Sequence, residues 1–247
     1  MRTGRFGKLR VLVLMQVARL RSAWRPYLIV SSLMPLGIAV LLRAVMDERQ
    51  IERFGVQIVA GSVVLAIAMT AIVMLAQRMA WMRESGSLDF YSTLPVSRTA
   101  VCVSVLISFA LFSLPGALIV VGLGALMFDL ALGAFWVVVP VWLLGAFALA
   151  GLGIVIGFAA PDEQLAGMYS NLVMMAILFL GIIPAARLPG WLAPARAVLP
   201  STYAVNALKP GFKGSIDAGI VSDLLMLALF GALSFWAVRG PLWPRSD

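Results

Sequence analysis

Side chains able to do chemistry are scarce in this sequence, and the densest group of them lies between positions 83 and 98. Arg83, Glu84, Asp89 and Arg98 carry charge there, while Ser85, Ser87, Tyr91, Ser92, Thr93 and Ser97 carry hydroxyls. That set suits recognition of a partner surface through ion pairs and hydrogen bonds. Catalysis has little to work with. The sequence has no histidine, which removes His-dependent acid–base chemistry and most zinc, copper and nickel sites. Its one cysteine, Cys102, sits in an apolar run and reads as a buried, inert thiol. No phosphate-binding loop of the form Gly-x-x-x-x-Gly-Lys-Ser/Thr is present, so no nucleotide site is visible. A Ser–Lys dyad would have to use Lys209 or Lys213, which fall in a loop, so an intramembrane enzyme is disfavoured.

The elements that position the 83–98 group are apolar helices. Of the 247 residues, 62% are hydrophobic and only 12% charged, with mean hydropathy +1.01. Ordinary soluble domains carry about 25% charged residues. The chain is therefore an all-α integral membrane protein. Gaps between charges place six spans, at 27–45, 55–76, 100–127, 134–159, 165–183 and 219–238. All lie in one transmembrane domain, 1–247. Arg2, Arg5, Lys8, Arg10, Arg19, Arg21 and Arg25 precede the first span with no acid among them. The positive-inside rule then puts both termini in the cytoplasm. The 83–98 stretch and the 160–164 turn are cytoplasmic on that reading, and the loop at 184–218 is outside. No secretory signal peptide is expected.

Local signals shape the three connecting regions. Residues 1–26 place Phe6, Leu9, Val13, Val17, Leu20 and Trp24 on one helical face with basic flanks. This is either an ordinary positive flank or an interfacial helix holding anionic headgroups and a cytoplasmic partner. In the 83–98 stretch, Gly86 ends the helix leaving span two and Ser87 can cap a short helix. Leu88, Tyr91 and Leu94 share its face, Pro95 stops it and Ser97 caps span three. Asp162 can cap span five, and Asp162 and Glu163 form a second candidate contact. The outer loop carries Pro184, Pro189, Pro194, Pro200 and Pro210, with Trp191 and Tyr203 suited to an interface. It reads as a surface loop anchored by aromatics or as a lid over a cavity.

The segment Arg83-Glu84-Ser85-Gly86-Ser87-Leu88, followed by Thr93-Leu94-Pro95-Val96-Ser97, resembles the coupling loop of type-2 ATP-binding-cassette (ABC-2 type) exporter permeases. Tyr91 stands where that loop usually has Leu. Gly181-Ile182-Ile183-Pro184, Leu188-Pro189-Gly190-Trp191-Leu192 and Leu199-Pro200-Ser201-Thr202-Tyr203-Ala204 are similar to the family's segment after span five. The resemblance covers essentially the whole chain. It implies six spans, an N-terminal interfacial helix, a cytoplasmic coupling helix and a short helical extracellular loop before the last span.

It also implies a drug- or antibiotic-exporter-like permease that moves hydrophobic or amphipathic material, drug, antibiotic, peptide or lipid-like, out of a bacterial cell. Two copies of a separate cytoplasmic ATPase would bind ATP and Mg. This chain would hold no cofactor and would pair with a second permease of the same or a related kind. Membrane lipids are further partners, and nucleic acid is not one. Arg83, Glu84, Gly86, Ser87, Leu88, Asp89, Tyr91, Pro95, Asp162 and Glu163 become ATPase-coupling contacts. Pro189, Trp191, Pro200 and Tyr203 become the lid. Tyr169, Asn171, Met174 and Met175 are candidates for the substrate path, the methionines for their adaptable apolar surface. Gly153 and Gly157 form a G-x-x-x-G pair that reads as helix packing. A self-powered carrier or channel is the alternative. It would need buried carboxylates or broken polar helices to couple an ion, and the spans offer only Asp223 well inside.

Overall fold

The computed structural model describes residues 5–21, 24–88, 97–131, 133–182, 190, 193–214 and 219–239. Among them all regular structure is helical, and six helices are long and apolar enough to cross a membrane. The chain is a multi-pass membrane protein. We number its helices α1 (Arg5–Arg21), α2 (Trp24–Val45), α3 (Glu48–Glu84), α4 (Arg98–Met127), α5 (Val138–Ala159), α6 (Glu163–Ile182), α7 (Ala193–Val198), α8 (Pro200–Lys213) and α9 (Gly219–Arg239).

Helix α3 is the axle of the bundle. It starts at Asp47, whose carboxylate accepts the Gln50 N–H at 2.8 Å, a side-chain cap for an otherwise orphan donor. It then runs 37 residues, and 94% of its most apolar stretch is buried within the chain. The 55–76 stretch lies within it. Helices α2, α4, α5, α6 and α8 all pack on it. By contrast, only 11% of the corresponding stretch of α9 is buried, because α9 docks on α5 and α8 along one side.

Between Met69 and Met74 the axle widens into a π-helical turn. Such a turn inserts one residue and changes the phase of the helix beyond it. Helix α5 fits against this region through glycine. A Cβ on Gly153 would come within 2.5 Å of the Ala71 carbonyl oxygen, and one on Gly157 within 2.6 Å of the Ala76 carbonyl oxygen. Both contacts are to backbone, which cannot yield cheaply, so the G-x-x-x-G pair sets how closely the two helices approach.

At the N-terminus, α1 lies against α4 and buries Leu12 and Gln16. Val13 and Val17 of the anticipated stripe are half-buried. The packing face is thus turned about one residue from the stripe, because it is α4 that covers it.

Candidate functional site

Arg83 occupies the last turn of α3, three residues before the chain turns away at Gly86. Gly86 has φ +67°, a left-handed conformation that glycine adopts without a Cβ penalty. The turn is closed by hydrogen bonds from the Ser85 N–H to the Trp81 carbonyl at 2.9 Å and from the Gly86 N–H to the Arg83 carbonyl at 3.2 Å. The Ser85 and Ser87 hydroxyls lie 2.8 Å apart. Leu88 is buried in the core and anchors the start of the loop. The anticipated coupling helix, with Asp89, Tyr91 and Pro95, lies outside the described residues. Beyond it, Ser97 caps α4, accepting the Ala100 N–H at 3.2 Å.

The Arg83 guanidinium grips a different part of the chain. Nη1 donates to the Phe158 carbonyl at 2.6 Å. Nη2 donates to the carbonyls of Ala160 and Pro161, the latter at 2.7 Å. These acceptors form the C-terminal end of α5 and the turn after it, where helical carbonyls lack intrahelical donors. A planar cation with forked donors suits that end of the helix dipole. Glu84 completes the grip. Its Oε2 accepts the Glu163 N–H at 3.3 Å, at the start of α6. Asp162 caps the same helix, accepting the Leu165 N–H at 2.7 Å. Ala80, Ala160 and Ala166 are fully buried between the three helices. Their small side chains allow the close approach that those hydrogen bonds require.

The structure thus joins two stretches that the sequence presented separately. Arg83 and Glu84 from one, and 158–163 from the other, form one cluster fixed to α3, α5 and α6. Glu84 and Glu163 remain exposed at its rim, and Asp162 is half-buried.

The opposite end is packed mainly through apolar side chains. Helix α8 lies tucked among α3, α5 and α9, with Pro200, Ala204, Val205, Ala207, Leu208 and Phe212 buried. Ala204 lies beside Gly145 of α5, and Tyr203 stacks near Phe230 of α9 with ring centroids 5.9 Å apart. The Ala134 N–H donates to the Gly211 carbonyl at 3.0 Å and ties the far end of α8 to the start of α5. Ser201 and Thr202, in the first turn of α8, have buried hydroxyls with no hydrogen-bond partner among the described residues. Arg196 of α7 is buried too, and desolvation lowers the pKa of its guanidinium. Pro189 and Trp191 lie outside the described residues.

On α6, Tyr169, Asn171 and Met175 are exposed on the outside of the bundle, whereas Met174 turns into the core. An asparagine facing outward from the middle of an apolar helix is costly against lipid and suits a protein or aqueous neighbour.

The family model for ABC-2 type transporters matches residues 9–212. The chain belongs to the ABC-2 type transporter family. The match runs from α1 to α8, so both the Arg83 cluster and the buried α8 fall within it. No curated protein matches the chain. ABC-2 membrane chains are the transport subunits of ABC transporters and work with an ATPase partner.

One group in this ABC-2 chain was not anticipated. Tyr27, Gln77, Arg78 and Trp81 line a cleft beside the Arg83 cluster. Its signal was present in the sequence. Arg78 and Trp81 are three apart, which stacks them on one helical face, and the guanidinium carbon lies 4.4 Å from the ring centroid.

Proposed function

We propose that this chain is the permease subunit of an ATP-driven exporter for hydrophobic or amphipathic cargo. A separate cytoplasmic ATPase, binding ATP and Mg, would dock on the 83–97 loop. The observation that carries this reading is the Arg83–Glu84 grip on residues 158–163. A push on the loop would reach α3, α5 and α6 together, since those helices share the cluster. The tightly packed core transmits such a displacement instead of absorbing it.

In this reading the Arg83 end faces the cytoplasm of a bacterial cell and the α8 end faces outward. The basic segment before α2 supports that orientation. Two permease chains and two ATPase subunits make the working unit. The exposed face of α6, with Tyr169, Asn171 and Met175, would line a path shared with the second permease. Tyr203 and Pro200, set in α8, would close that path on the outer side.

The test is affinity capture of the tagged chain from its native membrane, with mass spectrometry of what accompanies it. Wild type is expected to bring down a chain with a nucleotide-binding motif, and a Glu84→Arg, Gly86→Pro double variant to lose it. Capture of no such chain by wild type, even after mild cross-linking, would replace the exporter reading with a self-powered carrier.

A further inference from the structure

The π-helical turn at Met69–Met74 divides α3 into two segments with different surroundings. Glu48–Ala68 is held from several sides, by α2, α4, α5, α6 and α8. Burial is unbroken from Ile58 to Val73 and breaks at Met74. Met74, Gln77, Arg78 and Trp81 then follow at i, i+3, i+4 and i+7, which is one face of a helix. With Tyr27 and Val30 of α2 they line a cleft of about 490 Å³. The other faces of Leu75–Glu84 stay packed. Leu75, Ala76, Met79 and Ala80 are buried, and the segment lies chiefly on α5 and α6. One segment is thus enclosed, and the other is backed on one side and open toward α2 on the other.

The turn between them has the local features of a joint. It carries one residue more than an α-helix needs, and sharp bends in helices occur where the regular hydrogen-bond ladder is interrupted in this way. Thr70 lies in the turn, and its buried hydroxyl has no partner among the described residues. A desolvated, unpaired hydroxyl carries a cost, so a second arrangement of the turn can compete with this one. On α5, Gly153 lies against the turn, where a Cβ would meet the Ala71 and Ile72 carbonyl oxygens. A glycine offers no side chain to interlock there, so the two backbones can roll on each other.

Beyond the turn the segment is tied firmly to its backing. Arg83 and Glu84 hold it to the end of α5 and the start of α6. A Cβ on Gly167 of α6 would come within 2.7 Å of the Gln77 amide nitrogen, so that side is already closed up. A displacement that enters at the 83–97 loop therefore has room in one direction, across the cleft. We propose that α3 is jointed at Met69–Met74, and that Leu75–Glu84 swings about this turn toward α2 and narrows the cleft while Glu48–Ala68 stays in place. The joint stands on the packing, and only its use in a transport cycle rests on the exporter reading.

The test uses the full chain in lipid nanodiscs, without any ATPase. Val30→Cys carries a bimane fluorophore, and Cys102 is buried away from the label. Trp81, on the swinging segment, quenches bimane at short range, and Trp81→Phe identifies its share of the quenching. Wild type is expected to show two populations by fluorescence lifetime, one quenched by Trp81 and one not. Deletion of Thr70 removes the extra residue and closes α3 into a continuous α-helix, with both segments keeping their faces. That variant should fold, melt no lower than wild type and show one population. Deletion of Val73, at the other side of the turn, should do the same. Deletion of Val64, in the regular stretch, turns everything beyond it by about 100° and should abolish folding. Thr70→Val, which loses the hydroxyl and keeps the extra residue, should retain both populations.

A single lifetime in wild type, or the same two in the deletion variants, would overturn the joint. So would loss of folding on deletion of Thr70 and of Val73 alike, because the turn would then be a fixed part of the core. A single population in Thr70→Val would assign the effect to the hydroxyl and overturn it too. The lifetimes are read without an ATPase, so failure here and failure of the capture experiment are distinct results.

Discussion

The two ends of this bundle are closed by different forces. At the Arg83 end, a guanidinium and a carboxylate reach across to backbone groups of two other helices. At the α8 end, a helix is wedged in place by alanine, valine, leucine and phenylalanine, while the Ser201 and Thr202 hydroxyls have no partner among the described residues. Charge-assisted hydrogen bonds are directional and hold a fixed geometry. Apolar contacts are individually weak and tolerate sliding. An end built the first way moves as a piece, and an end built the second way can part. The exporter reading requires that asymmetry, with force entering at the stiff end and the way out opening at the soft one.

The largest effect should come from Arg83→Ala. It removes donors from three carbonyls at the end of α5, two of them part-buried. Hydrogen bonds to a charged group are worth about 1.5–3 kcal/mol each and do not add fully, so a loss of about 3 kcal/mol is expected. Thermal melting of the purified chain should fall by several degrees, with Arg83→Lys between variant and wild type, because an ammonium cannot span the three acceptors. A melting point within about one degree of wild type would show that the grip is ornamental, and the contrast between the ends would lose its stiff half.

Much of this architecture is written in the sequence, though unevenly. Charge gaps locate the six spans, because charges are excluded from a bilayer interior. Gly86, Ser97 and Asp162 announce their turns and caps through short-range rules, and Gly153 and Gly157 announce a close contact. What the sequence hides is which span is central. α3 and α9 are both strongly apolar, yet one is almost wholly enclosed and the other almost wholly exposed. Lipid and protein interior are equally apolar, so hydropathy cannot tell them apart. The same blindness covers Arg83 and Arg78. A charge at the end of a span reads as a boundary marker. Only the fold shows the first reaching 75 residues along the chain to Phe158 and the second lining a cleft.

Two left-handed glycines among the described residues offer a matched pair, one at each end. Gly86 has φ +67° and Gly214 has φ +69°. An alanine in either place pays roughly 1–2 kcal/mol for the conformation, so both variants should lower the melting point alike. Their functional effects should differ. Gly86→Ala disturbs the turn that presents the 83–97 loop, and ATP hydrolysis by the assembled complex should lose its response to the permease. Gly214→Ala changes a turn facing Gly133, with the nearest atom 4.0 Å from the new Cβ. It should leave that response intact. Equal losses of coupling would mean that the ends are not mechanically distinct.

The smallest effect has the most informative sign. Ser113 shows what a paired hydroxyl does in this bundle: buried on α4, it donates to the Ala110 carbonyl and accepts the Trp142 indole N–H at 2.9 Å. Ser113→Ala leaves that indole without its acceptor and should cost about 1–2 kcal/mol. The hydroxyls of Ser201 and Thr202 are buried as well and have no partner among the described residues. Replacing them with Ala and Val removes a desolvated polar atom and little else. The melting point should stay level or rise, by the equivalent of up to about 1 kcal/mol. A fall as large as that of Ser113→Ala would mean that the first turn of α8 is held by polar bonds after all. The α8 end would then be stiff like the Arg83 end, and the bundle would have to open elsewhere.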